Sequence, residues 1–131
     1  MNASGHAIPI LVIDDDPTSL DLAVEVLALD GYTVRTAPTA ERGLELTAIE
    51  QPALILMDLH FATGVSGLEA TRRLKANPLT AGIPVVALTA LAPRQAEQTA
   101  REAGFAAYLT KPLDVTVLRE TVRRFVHTAP A

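Results

Sequence analysis

The sequence predicts a doubly wound α/β fold, in which helices cover both faces of a parallel β-sheet. The first observation is that five short apolar segments alternate with five helical segments along the 131 residues. Strict alternation is typical of parallel strands joined by right-handed crossover helices. The second observation is that the short segments are nearly continuous apolar runs, as expected of strands buried on both faces.

The chain begins with a predicted strand, helix and second strand. Residues 8–13 (IPILVI) are the first strand. Asp16 and Pro17 predict a helix N-cap and the first helical position, and Gly31 predicts the end of that helix. Residues 32–36 (YTVRT) are the second strand. The first helix carries apolar residues at helical spacing, namely Leu20, Ala23, Val24 and Leu27.

A second helix and a third strand follow. Thr39 predicts the N-cap of the helix, and Pro52 interrupts the helical pattern. Residues 54–57 (LILM) are a buried strand. The apolar residues that we expect to face the core from the second helix are Leu44, Leu46 and Ile49.

The last part of the chain continues the same alternation. Helices are predicted over residues 67–76 and 94–103, and strands over residues 84–88 (PVVAL) and 105–109 (FAAYL). Asp114 predicts the N-cap of the final helix. The residues expected on the inward face of that helix are Val115, Leu118, Val122 and Phe125.

Composition limits the function classes. The chain contains no cysteine, which excludes disulfides, thiolate chemistry and Cys-ligated zinc. Its net charge of −4 and the lack of a basic cluster argue against direct nucleic-acid binding. No apolar run is long enough to cross a membrane, and no signal peptide is recognisable. We expect a cytoplasmic domain over residues 8–126, with tails at residues 1–7 and 127–131.

Polar residues follow four of the predicted strands directly. Asp14, Asp15 and Asp16 come after the first strand, and Asp58 comes after the third. Ligands of an open α/β sheet bind outside the carboxyl ends of its strands, so these side chains are expected to meet. The residues that follow the fourth and fifth strands are Thr89, Thr110, Lys111 and Pro112.

Clustered carboxylates at this edge favour a divalent cation. Two unit charges about 4 Å apart interact by about 4 kcal/mol at an effective dielectric constant near 20, so Asp14, Asp15 and Asp58 would repel one another without a cation. Oxygen ligands suit Mg²⁺, or Mn²⁺, better than zinc. Asp58 could be a nucleophile for a phosphoryl group, while Thr89 and Lys111 contact its oxygens.

Four motifs carry a resemblance to a known family. They are Leu11-Val-Ile-Asp-Asp-Asp-Pro17, Leu56-Met-Asp58-Leu59, Val86-Ala-Leu-Thr89-Ala90 and Tyr108-Leu-Thr-Lys111-Pro112. Together they resemble the CheY-like receiver domains of two-component response regulators, over residues 8–126. The second half, with Pro84 and the stretch from Thr89 to Ala92, resembles the single-domain receivers of the DivK type. The resemblance implies a flavodoxin-like (βα)5 fold with the strand order 2-1-3-4-5.

The resemblance also implies a role for each site residue. Asp58 matches the aspartate that is phosphorylated. Asp15 matches the direct metal ligand and Asp14 the ligand that acts through water, with the backbone carbonyl of His60 as the third protein ligand. The remaining matches are Thr89 to the switch hydroxyl, Lys111 to the phosphate-pairing lysine, Tyr108 to the rotating aromatic residue and Pro112 to a cis-proline.

The loop after Asp58 departs from the family pattern. The usual Met-Pro is missing, and Gly67 lies nine residues after the aspartate rather than eight. One extra residue and two glycines predict a longer and looser loop beside the metal. The position of the His60 carbonyl therefore depends on how this loop is held.

The first functional hypothesis is a phosphorylation-controlled switch. A sensor histidine kinase or a histidine phosphotransferase would phosphorylate Asp58, and the altered surface would bind a separate target protein. The chain would catalyse only its own phosphoryl transfer and dephosphorylation, as a monomer or weak dimer.

Two alternatives remain open at this point. Asp14-x-Asp16-x-Thr18 matches the nucleophile motif of haloacid-dehalogenase-like phosphatases, although that interpretation gives Asp58 no role. The chain could also be a degenerate receiver that acts only as an interaction module. Mg²⁺ binding and the effect of replacing Asp58 would distinguish these possibilities.

Overall fold

Five parallel strands form the centre of the fold, in the order β2-β1-β3-β4-β5. The computed structural model describes residues 8–126. The elements along the chain are β1 (Ile10–Ile13), α1 (Pro17–Leu29), β2 (Val34–Ala37), α2 (Ala40–Glu50), β3 (Leu54–Asp58), α3 (Gly67–Ala76), β4 (Val85–Thr89), α4 (Pro93–Ala103), β5 (Ala107–Thr110) and α5 (Val115–Phe125). The predicted flavodoxin-like α/β fold and its strand order 2-1-3-4-5 are confirmed.

Two apolar layers sandwich the sheet. Leu11, Ile55 and Val85 point to the face that α2, α3 and α4 cover. Their neighbours Ile10 and Leu54 point to the opposite face, which α1 and α5 cover. Every residue of β1, β3 and β4 is buried, because helices cover both faces of these central strands.

The helices begin where the predicted caps lie. Asp16, Thr39 and Asp114 each accept a hydrogen bond from a backbone N–H of the first helical turn, at 3.0–3.1 Å. Ser66 does the same at the start of α3. Helix α4 has no side-chain cap and begins at Pro93. Its buried side chains are all alanines, at positions 96, 100 and 103.

Four strands begin later than predicted, β4 by one residue and β1, β2 and β5 by two. Strand β2 begins at Val34 rather than at residue 32, because the N–H of Tyr32 donates to the carbonyl of Leu27 and so completes the end of α1. Strand β5 begins at Ala107 rather than at residue 105, because the N–H of Phe105 donates to the carbonyl of Ala100. In β2 and β5, therefore, a residue whose side chain is typical of strands donates its backbone N–H to the end of the preceding helix.

Two helix positions predicted to face the core are exposed instead. Ile49 on α2 is 72% exposed and Val115 on α5 is 42% exposed, although both were expected to face the core. On α1 the predicted Ala23 and Leu27 are buried together with Val26, while Val24 is half-buried. The α2 face that meets the sheet is built from the small residues Ala40 and Gly43 together with Thr47.

The tails predicted over residues 1–7 and 127–131 lie outside the described residues. Within residues 8–126, no helix is long and apolar enough to cross a membrane.

Candidate functional site

The carboxyl edge of the sheet brings three acidic side chains together. Asp14 follows β1 and Asp58 is the last residue of β3, and the register of these adjacent strands pairs Ile13 with Met57. The two carboxylates therefore leave the sheet side by side. With Asp15 they form a group in which one carboxylate oxygen from each residue lies within 4.8 Å of the other two.

Lys111 bridges the two buried carboxylates. Its Nζ lies 2.8 Å from Oδ2 of Asp14 and 3.3 Å from Oδ2 of Asp58. The backbone N–H of Lys111 donates to the carbonyl of Thr89 at 2.7 Å, and this bond holds the Lys111 backbone against the end of β4. The Lys111–Pro112 peptide bond is cis, as the resemblance implied. The side chain thus reaches the acidic pair from the edge strand β5.

The site carries an excess of negative charge. Burial raises the pKa of Asp58 to about 6, and the charge of Asp14 adds to this effect while Lys111 opposes it. Burial also acts to lower the pKa of Lys111, but the hydrogen bonds and charges of both aspartates outweigh it, so that its pKa lies above the usual value. One ammonium therefore does not neutralise this group of carboxylates.

The residues present fit a magnesium ion. The donors are all carboxylate oxygens, which Mg²⁺ prefers. Asp14 is completely buried, and its Oδ2 has no well-directed hydrogen bond although the Lys111 ammonium lies 2.8 Å away. A buried carboxylate oxygen without a full set of partners costs free energy, which a cation would recover. The predicted acidic cluster is thus present.

Thr89 and Tyr108 lie on the neighbouring strands. Thr89 is the last residue of β4 and 1% exposed, and its Oγ1 accepts a hydrogen bond from the N–H of Leu91 at 3.0 Å. Tyr108 lies on β5 and is half-buried against the layer of α2, α3 and α4. The register places Thr89 beside Thr110, so Thr89 and Lys111 leave the sheet at adjacent strand ends.

The remaining acidic residue of the first motif has a different task. Asp16 caps α1 through its contact with the N–H of Thr18, and its own N–H donates to Oδ1 of Asp14 at 2.9 Å. It does not belong to the group of clustered carboxylates. This arrangement does not favour the phosphatase hypothesis, which requires Asp14 and Asp16 to act together.

The loop after β3 passes over the acidic cluster. Asp15 is exposed, and its Oδ2 accepts a hydrogen bond from the N–H of Ala62 at 3.2 Å. His60 is exposed, and its backbone nitrogen lies 3.4 Å from Oδ1 of Asp58. Gly67 ends the loop so close to the carbonyl oxygen of Asp58 that a Cβ there would overlap that oxygen.

One loop contact was not predicted. Oε2 of Glu41, in the first turn of α2, accepts a hydrogen bond from the N–H of Val65 at 3.0 Å. An acidic residue in the first turn of a helix is common because it complements the helix dipole. The sequence therefore carries no signal that separates Glu41 from an ordinary surface glutamate.

Comparisons with known proteins agree with this geometry. The family model described as the response regulator receiver domain matches residues 10–123. The polar-differentiation response regulator DivK of Brucella ovis is 35% identical over 121 residues, which are 92% of this chain and 97% of that protein. The predicted resemblance to single-domain, CheY-like receivers is confirmed.

Two solved structures extend the comparison. A CheY-like response regulator receiver domain protein of Methanospirillum hungatei is 29% identical, with a TM-score of 0.79 and coverage of 88% of this chain and 90% of that one. The receiver domain of a sensor histidine kinase of Pseudomonas aeruginosa is 25% identical, with a TM-score of 0.83 and coverage of 93% and 99%. That structure has a magnesium ion coordinated in its active site cleft. The chain therefore belongs to the response regulator receiver domain family.

Proposed function

We propose that this receiver is phosphorylated on Asp58, with Mg²⁺ bound beside it, by a sensor histidine kinase or a histidine phosphotransferase. The observation that carries the proposal is the shared position of Lys111, whose ammonium lies within 3.3 Å of carboxylate oxygens of both Asp14 and Asp58. A cation placed this way can pair with an oxygen of a phosphoryl group on Asp58.

The proposed transfer step uses Asp58 as the nucleophile. A carboxylate oxygen of Asp58 forms a bond to phosphorus while the bond between phosphorus and the donor's histidine nitrogen breaks, and its electron pair returns to the imidazole. Asp14, Asp15 and Asp58, together with the His60 carbonyl, would hold Mg²⁺. The ion supplies charge neutralisation for the phosphoryl oxygens when it is bound.

The proposed switch begins at Thr89 and Lys111. A phosphoryl group on Asp58 adds negative charge and acceptor oxygens at the carboxyl edge. Thr89 supplies a hydroxyl at the end of β4, and this hydroxyl accepts a hydrogen bond from the N–H of Leu91. Turning towards a phosphoryl oxygen would free that N–H and alter the segment before α4. Tyr108, on the next strand, is the aromatic residue that we propose to move with it.

The proposed output is binding of a separate target protein at the surface of α4, β5 and α5. Tyr108, Arg101 and Arg124 line an open groove of about 370 Å³ there. The proposal includes a cytoplasmic location, a monomeric or weakly dimeric state, and no reaction other than the chain's own phosphorylation and dephosphorylation. Mn²⁺ is expected to be able to take the place of Mg²⁺ in this site.

The test is labelling with an acyl-phosphate donor in the presence of MgCl₂, followed by mass measurement of the intact chain. The parent chain and an Asp21→Asn control, altered on the exposed part of α1, should gain one phosphoryl group. Asp58→Asn should gain none, and equal labelling of this variant would refute the assignment. Turnover of p-nitrophenyl phosphate that survives Asp58→Ala but not Asp14→Ala would instead support a phosphatase. A parent chain that does not bind millimolar Mg²⁺ would favour an interaction module.

A further inference from the structure

The β3–α3 loop, residues 59–66, is held over the acidic cluster by two carboxylates from other parts of the chain. Asp15 accepts the N–H of Ala62 at 3.2 Å, and Glu41 accepts the N–H of Val65 at 3.0 Å. The side chains of Phe61 and Val65 are half-buried against the layer of α2, α3 and α4. The long loop is therefore attached at its middle and near its end.

The chain makes room for the Glu41 contact. Gly64 has a φ of +79°, which side-chain-bearing residues rarely adopt. A Cβ at this position would lie 2.5 Å from Oε2 of Glu41, so a larger residue at position 64 would force the carboxylate to shift from its present place. The loop glycine and the helix residue that holds the loop thus fit one another.

The Glu41 carboxylate is suited to this contact at neutral pH. The hydrogen bond from the Val65 N–H holds the pKa of Glu41 below its usual value, and the bond to its own backbone N–H and the charge of Arg73 act in the same direction. The side chain thus stays ionised. A charged acceptor makes a stronger hydrogen bond to a backbone N–H than a neutral one does.

We propose that Glu41 is a positioning residue for the metal site. By fixing Val65 it keeps the loop in one conformation, in which His60 and Ala62 lie beside the carboxylates of Asp58 and Asp15. The inference rests on the proposed Mg²⁺ binding. Without Glu41 the loop occupies this conformation for a fraction of the time, and the apparent dissociation constant for Mg²⁺ rises in inverse proportion to that fraction.

The expected effect follows from the strength of one hydrogen bond to a charged, solvent-accessible group. Its loss should weaken Mg²⁺ binding about three- to tenfold. At saturating Mg²⁺ the loop is ordered by the ion itself. The rate at which an acyl phosphate labels Asp58 at saturating MgCl₂ should therefore be the same with and without Glu41. The MgCl₂ concentration that gives the half-maximal labelling rate should increase when Glu41 is removed.

The experiment is a titration of the ¹⁵N-labelled full chain with MgCl₂, for the parent and three variants. Glu41→Ala removes the acceptor, whereas Glu41→Gln keeps an acceptor oxygen and removes the charge. Glu45→Ala is the matched control, because Glu45 is an exposed α2 residue that forms an ion pair with Arg42 rather than a contact with the loop. The amide resonance of Val65 reports the loop contact before any Mg²⁺ is added.

The proposal requires three results. Glu41→Ala should shift the Val65 resonance and weaken Mg²⁺ binding by the stated factor with an unchanged final labelling rate. Glu41→Gln, whose neutral amide oxygen is a weaker acceptor, should recover part of the affinity, and Glu45→Ala should behave like the parent chain. Equal losses in Glu41→Gln and Glu41→Ala would assign the effect to charge and overturn the positioning role.

The two proposals fail in different ways. A parent chain that binds no Mg²⁺ refutes the proposed metal site and this inference with it. A parent chain that binds Mg²⁺, together with a Glu41→Ala variant of equal affinity, refutes the inference alone. A Val65 resonance that does not respond to Glu41→Ala also refutes it, whatever the metal does.

Discussion

Replacing Asp58 with asparagine should stabilise the metal-free protein at neutral and basic pH. The parent site buries ionised Asp14 and Asp58 against the single ammonium of Lys111. The Asp58→Asn variant leaves one carboxylate paired with one ammonium and keeps an oxygen that Lys111 can contact. The buried group then carries no excess charge.

The magnitude follows from the raised pKa of Asp58. A carboxyl group whose pKa moves from 3.8 to about 6 on folding costs about 3 kcal/mol more to ionise in the fold than in the unfolded chain. Because buried Asp14 and Lys111 both remain in the variant, part of this cost stays. We expect the free energy of unfolding to increase by about 1 to 3 kcal/mol at pH 8, or roughly 3 to 10 °C in melting temperature.

The sign of the pH dependence is fixed by the same shift. Between pH 3.8 and about 6 the folded chain binds the Asp58 proton more strongly than the unfolded chain does. The stability that this proton contributes is complete below pH 3.8 and is lost as the pH rises through about 6. The advantage of Asp58→Asn should therefore be large at pH 8 and absent near pH 4.

Urea unfolding in the presence of a chelator, at pH 4, 6 and 8, measures this difference. Asp21→Asn on α1 serves as the control, and its effect should stay below about 0.5 kcal/mol at each pH. Added MgCl₂ should stabilise the parent chain more than Asp58→Asn, because the ion neutralises the charge that the variant lacks. A variant that is less stable at pH 8, or a gain that does not vary with pH, would refute the reasoning.

Three further predictions concern the same edge of the sheet. Lys111→Met should destabilise the metal-free protein by about 2 to 4 kcal/mol at pH 8 in urea unfolding, since Asp14 is left buried without a counter-charge. The loss of stability should be smaller in MgCl₂, and an equal loss with and without MgCl₂ would contradict this explanation. Gly67→Ala should cost more than about 2 kcal/mol, because its Cβ would overlap the carbonyl at the end of β3, whereas Gly82→Ala, with open space around it, should change stability by less than about 0.5 kcal/mol. Thr89→Ala should remain able to accept a phosphoryl group but should reduce the beryllofluoride-induced shifts of β5 amide resonances, and Thr89→Ser should restore them; full shifts in the alanine variant would exclude the hydroxyl as the switch.

The acidic cluster could be predicted from sequence because its position depends on strand ends alone. Once the buried runs before Asp14 and Asp58 are recognised as parallel strands, both carboxylates must leave the sheet at the same edge. The same logic placed Thr89 and Lys111. None of these predictions required knowledge of how a helix packs.

Helix faces and loop contacts were harder to predict because side chains alone do not determine them. Ile49 and Val115 have apolar side chains, but small residues bring α2 close to the sheet and leave Ile49 in solvent. The contact between Glu41 and Val65 involves a backbone N–H, which every residue except proline possesses. Its partner therefore leaves no trace in the sequence pattern.

The alanine face of α4 has a mechanical consequence. Every buried residue of helix α4 is an alanine, and positions 96, 100 and 103 each forgo the roughly 2 kcal/mol that a larger apolar side chain such as leucine contributes when it is buried. Without a side-chain cap at Ala92, little holds its first turn in place. We therefore expect α4 to shift more easily than the fully buried strands beside it, so that a change of a few kcal/mol at the end of β4 would displace this helix before it distorted any strand.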